Sequence, residues 1–198
     1  MKKCLHFLPN TITVLRIILT AAFIAILAEK LTQGFTVMPV RLYVIFVLIC
    51  FSDFLDGAAA RGFKAESVLG SILDIIADSL FIFSSLIILD IYRVMPVWFT
   101  AVVLADFLAF LVTSGFLARK KPVCAGRVFV FDKAGRIGAV IFYLIPAAAC
   151  LAHAYPGCMY LLNGMIYLSV FLAGVSKLER FVSCLEVLKR QKAENNNG

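Results

Sequence analysis

Long apolar runs separated by short polar connections dominate this chain. They fall at about residues 11–28, 37–60, 71–91, 95–117, 137–154 and 159–178. Each is close to the roughly 20 residues that a helix needs to cross a bilayer. The pattern predicts an all-α polytopic membrane protein, with six transmembrane helices in one bundle. One membrane domain is expected over residues 1–190, followed by a disordered polar tail at 191–198 that ends KAENNNG. Asn10-Thr11 reads as the N-cap of the first helix. Pro39, Pro96 and Pro122 fall near segment starts or in connections, where a missing N–H costs little. The opening MKK and apolar run resemble a signal peptide, but no small-residue cleavage site follows, so a retained first helix is expected.

Composition agrees: 62% of residues are hydrophobic, 16% are charged and the mean hydropathy is +0.97. A soluble domain of this length carries far more charge. The positive charges sort by side. With the N-terminus in the cytoplasm, that face holds sixteen of the nineteen Lys and Arg, and only Lys30, Arg41 and Arg93 fall opposite. That asymmetry predicts both ends in the cytoplasm. A basic face beside anionic headgroups accounts for the net charge of +7 without any nucleic-acid partner. The six Cys form no CxxC pair, and His6 and His153 are isolated, which excludes an HExxH-type zinc site. Cys150 and Cys158 flank one loop, and a bridge between them stays open.

Four aspartates then stand out, in the stretch DFLDGAAARGFKAESVLGSILDIIAD from Asp53 to Asp78. Asp53 and Asp56 lie near the end of the second run, and Asp74 and Asp78 near the start of the third. Their i,i+3 and i,i+4 spacings put each pair on one helix face. The short connection Gly62–Leu69 lets the two faces converge on one pocket at the cytoplasmic surface. Clustered carboxylates at low dielectric must be neutralised. An all-oxygen donor set suits Mg²⁺ or Mn²⁺ rather than zinc. Gly57, Ala58, Ala59 and Ala60 permit close approach to the backbone, Arg61 offers a fork for phosphate oxygens, and Gly70 opens space opposite.

The pattern Asp53-x2-Asp56-Gly57-x2-Ala60-Arg61-x8-Gly70-x3-Asp74-x3-Asp78 resembles the signature of the CDP-alcohol phosphotransferases at all eight of its specified positions. LPNTITVLR is similar to the opening of bacterial phosphatidylglycerophosphate synthases. The resemblance covers the layout of nearly the whole chain, and residue detail over the first 80 positions. It implies an integral-membrane enzyme that transfers a phosphatidyl group from CDP-diacylglycerol to a small polar alcohol and releases CMP. In that scheme Asp53, Asp56, Asp74 and Asp78 hold two divalent ions, Mg²⁺ or Mn²⁺. Gly57, Ala60, Arg61 and Gly70 line the nucleotide and diphosphate site, and Asp78 is the candidate base, a metal ligand, or both. The resemblance also implies a homodimer in a bacterial inner membrane, with the active site facing the cytoplasm.

Acceptor identity is less sharply marked. Arg119, Lys133, Arg136 and Arg180 are candidates for binding an acceptor phosphate, and Asp106, in mid-run, for a polyol hydroxyl. Glycerol 3-phosphate is the expected acceptor. The chain departs from the family pattern at Ala105-Asp106-Phe107 and at Asp132-Lys133-Ala134-Gly135-Arg136, which keeps inositol or inositol phosphate as an alternative. A divalent-cation transporter, the rival from another class, would distribute its acids across the bilayer depth rather than gather them at one end.

Overall fold

The computed structural model describes residues 7–34, 39–63, 68–120 and 133–196. They form six long helices: α1 (Phe7–Gln33), α2 (Val40–Phe63), α3 (Val68–Ile91), α4 (Val97–Lys120), α5 (Lys133–Ala154) and α6 (Met159–Asn196). A single 3₁₀ turn at Pro156–Cys158 joins the last two, and no strand occurs among the described residues. Four stretches are long and apolar enough to cross a membrane: Ile72–Ile91, Val97–Phe116, Ala134–Ala154 and Pro156–Lys189. Val40–Ser52 is a shorter apolar helix. Apolar side chains face outward as bilayer solvent requires; Val112 is 73% exposed and Phe171 67%.

One local expectation needs correction. α1 begins at Phe7, so Asn10 and Thr11 lie inside the helix rather than capping it. Pro9 sits in its first turn, where the missing N–H leaves no intrahelical bond unmade. The polar end of the chain is helical as far as Asn196, because Gln, Lys, Ala and Glu are good helix formers that simply continue α6. Pro39 and Pro96 do stand at helix starts: their carbonyls accept from Leu42 N–H and Phe99 N–H. Pro122 lies outside the described residues. Cys150 and Cys158 are both free thiols.

Helix directions follow from side-chain pairs. Thr13 meets Asp74, Arg16 meets Asp78, Phe23 meets Phe81 and Thr32 meets Tyr92, so α1 and α3 run parallel. Likewise Asp106 meets Lys177, and Thr113 and Ser114 meet Arg180, which makes α4 and α6 parallel. The buried stripe of α1 is Thr13, Arg16, Thr20, Phe23, Leu27 and Leu31, spaced three or four residues apart as one helix face demands. At its centre Phe23, Phe46 and Phe81 pack with ring centroids 5.4–6.4 Å apart, and Tyr143 of α5 stacks on Phe81 at 4.7 Å.

α1 and α3 also end alike, with a residue in the left-handed region: Gly34 at φ 67° and Arg93 at φ 55°. At Arg93 the turn is a Schellman closure, in which Val94 N–H donates to the Leu89 carbonyl and Arg93 N–H to that of Asp90. A side chain at such a position is strained. Arg93→Gly is therefore expected to stabilise the fold by about 1 kcal/mol, read as a higher unfolding midpoint in detergent.

Candidate active site

The first turns of α3 present Asp74 and Asp78 one helical turn apart, both half-buried. Asp78 lies six residues inside the apolar stretch that starts at Ile72, a depth of about 9 Å at 1.5 Å per residue. α1 reaches both carboxylates. Thr13 Oγ1 donates to Asp74 Oδ1 at 3.1 Å, and Arg16 Nη1 donates to Asp78 Oδ1 at 3.0 Å. The ion pair is asymmetric, because the Arg16 side chain is 0% exposed and that of Asp78 36%.

Asp78 lines a half-open cavity of about 990 Å³ bordered by α3, α4, α5 and α6. Most of its wall is apolar and aromatic, with a few polar groups converging from α4 and α6. Arg180, 5% exposed, donates through Nη1 to Thr113 Oγ1 and Ser114 Oγ, each at 3.0 Å. Its guanidinium lies 4.7 Å from the centroid of the Phe110 ring. Lys177 Nζ pairs with Asp106 Oδ1 at 3.5 Å on the same wall. Gly135 and Gly138 of α5 keep the opposite side low.

The sequence of residues 6–175 matches the family model described as CDP-alcohol phosphatidyltransferase. Across 193 residues the chain is 28% identical to the CDP-diacylglycerol–glycerol-3-phosphate 3-phosphatidyltransferase of Bacillus subtilis, covering 92% of this chain and 97% of that one. It is 27% identical over 183 residues to a probable phosphatidylglycerophosphate synthase of Mycobacterium tuberculosis, covering 89% and 87% of the two chains. A shorter match, 44% identical over 68 residues, relates it to a CMP-forming cardiolipin synthase of Streptomyces coelicolor. That match spans 34% of this chain and about a third of that protein's length (32%). The chain belongs to the CDP-alcohol phosphatidyltransferase family.

Membership makes the chain a phosphatidyltransferase, and it bears on which predicted residues the structure brings together. Asp74, Asp78 and Gly70 lie in the first turns of α3 as expected. The backbone of Asp53, Asp56, Gly57, Ala60 and Arg61 belongs to α2, and their side chains lie outside the described residues. So do those of Arg119 and Lys133. Arg180 and Asp106 do line the cavity that Asp78 borders, whereas Arg136 is exposed and does not. Asp106 is engaged by Lys177 rather than presented alone.

The family is divalent-cation dependent, and the donor chemistry on α3 fits such an ion: carboxylate oxygens one helical turn apart. Among the described residues no group of three or more acidic, His or Cys side chains forms.

Thr13, Arg16, Thr113, Ser114 and Lys177 went unassigned from sequence. Arg16 alone carried a usable signal: it is the sole Lys, Arg, Asp or Glu between residues 4 and 28. A charge inside an apolar segment implies a partner in the bundle. Hydrogen bonds to a charged group contribute about 1.5–3 kcal/mol. Replacing Thr113 by Val and Ser114 by Ala together should therefore lower stability by about that amount, checked by the unfolding midpoint of the double variant in detergent.

Proposed function

We propose that the protein transfers the phosphatidyl group of CDP-diacylglycerol to glycerol 3-phosphate and releases CMP. The observation that carries this reading is one cavity lined by both the Asp78 carboxylate and the buried Arg180 guanidinium. A hydroxyl to be activated and a phosphate to be held fit those two groups, as a phosphorylated alcohol requires. Relatives whose names specify glycerol 3-phosphate or phosphatidylglycerophosphate support the same acceptor.

In this scheme Asp53, Asp56, Asp74 and Asp78 hold two divalent ions, Mg²⁺ or Mn²⁺, which when bound neutralise charge on the donor diphosphate and on departing CMP. Gly57, Ala60 and Gly70 leave room for the nucleotide, and Arg61 contacts the diphosphate. Asp78 takes the proton of the acceptor hydroxyl while its oxygen attacks the phosphatidyl phosphorus. The bond from that phosphorus to the bridging oxygen breaks, and CMP leaves with the electron pair. Arg180 holds the acceptor phosphate by a forked contact. Arg119, Lys133 and Arg136 raise the local positive potential that draws the acceptor in. The bundle crosses a bacterial inner membrane six times, with the site facing the cytoplasm. Acyl chains of the donor then stay in the bilayer while its nucleotide reaches water. Two copies form a homodimer.

The test is CMP release from CDP-diacylglycerol by purified protein with Mg²⁺, offered glycerol 3-phosphate, inositol, inositol phosphate or serine. Glycerol 3-phosphate is expected to support turnover; release with free inositol alone would reassign the acceptor. No release with any alcohol, together with Mg²⁺ passage through proteoliposomes, would replace the transferase reading by transport. Asp78→Asn should lower kcat at least about 100-fold with the fold retained. Arg180→Gln should raise KM for glycerol 3-phosphate about tenfold and leave KM for the lipid donor unchanged.

A further inference from the structure

We propose that Thr13 and Arg16 are positioning residues that hold the Asp74 and Asp78 carboxylates for divalent-ion binding, which makes α1 a working part of the active site. The inference rests on the reading that these two aspartates are metal ligands. Three observations on the helix pair carry it.

First, the contacts are matched. Thr13 and Arg16 stand three residues apart on α1, Asp74 and Asp78 four apart on parallel α3, and each pair meets through the Oδ1 atom at 3.0–3.1 Å. Both carboxylates are thus gripped on one edge by the same helix face. Second, the grip comes from the protein interior. Thr13 is 3% exposed and Arg16 0%, while Asp78 is 36% exposed and borders the cavity. Arg16 is not among the cavity's lining groups, and the contact that links it to the cavity wall among the described residues is the one to Asp78. Third, packing alone is a poor reason for the arrangement. A buried ion pair replaced by well-packed apolar side chains is often neutral or stabilising. Orienting partners of metal ligands, by contrast, are worth about 10–100-fold in metal affinity or activity.

The experiment reads Mn²⁺ binding to the full chain in detergent by electron paramagnetic resonance, with no donor or acceptor present. CMP release is followed alongside as a function of Mg²⁺. Thr13→Val keeps the shape and removes the hydroxyl. It is expected to weaken Mn²⁺ binding about tenfold and to raise the half-activating Mg²⁺ concentration in step, and Thr13→Ser to restore both. Arg16→Lys keeps the charge but loses the planar fork, and should weaken Mn²⁺ binding about tenfold as well. Arg16→Ala should lower kcat about 100-fold with donor KM unchanged, and added guanidinium should recover part of the loss. Wild-type Mn²⁺ affinity in both Thr13→Val and Arg16→Lys would overturn the proposal and leave these residues a packing role. If Arg16→Ala does not fold, those two variants decide. A wild-type chain that binds no Mn²⁺ would overturn the proposal together with the metal-ligand reading. A chain that binds Mn²⁺ but transfers nothing to any alcohol overturns the functional reading alone.

Discussion

Within an apolar slab a charge without a partner is costly, and most of what is particular about this bundle follows from how its charges are met. Arg16 is wholly buried and meets Asp78. Arg180 is nearly so, and meets two hydroxyls and an aromatic ring. Lys177 meets Asp106. Each of these joins two helices that are not neighbours in sequence, and together they set the relative heights of α1 against α3 and of α4 against α6. Apolar side chains could slide past one another by a turn with modest loss, since lipid solvates them as well as a neighbouring helix does. The polar pairs could not. Register in this protein is therefore an electrostatic property laid over van der Waals packing, such as the ring cluster around Phe81.

The same pairs divide the cavity into two chemical ends. At the α3 end stands a carboxylate held by a cation that is not among the lining residues. At the α4–α6 end lies a guanidinium that meets neutral hydroxyls and a ring face. Opposite charges thus line one largely apolar volume without cancelling each other, because each is anchored outside the pair. Such a space suits a molecule that is itself divided between a reactive hydroxyl and an anionic group.

Much of this was legible in the sequence, for identifiable reasons. Run length and the positive-charge asymmetry announce helices and a membrane, because the bilayer enforces both. The spacing from Asp53 to Asp78 announces the family, whose model matches residues 6–175. Helix starts were harder. Asn10-Thr11 has the chemistry of a cap, but Pro9 is compatible with a first turn and the helix forms earlier. Partner choice was harder still. Nothing in the order of residues says that Asp106 will meet Lys177, or that Arg180 will find Thr113 and Ser114, since those contacts span 66–71 positions and depend on how α4 and α6 cross. Arg136 shows the reverse case: a basic residue in a suggestive loop that the helix turns outward.

The Arg16–Asp78 pair also has a temporal side. Its two members are 62 residues apart in the chain. At ribosomal speeds of roughly 5–20 residues per second, the partner emerges about 3–12 s after the cation. During that interval Arg16 lacks the Asp78 carboxylate that it meets in the folded bundle. The chain's first helix is thus completed by its third.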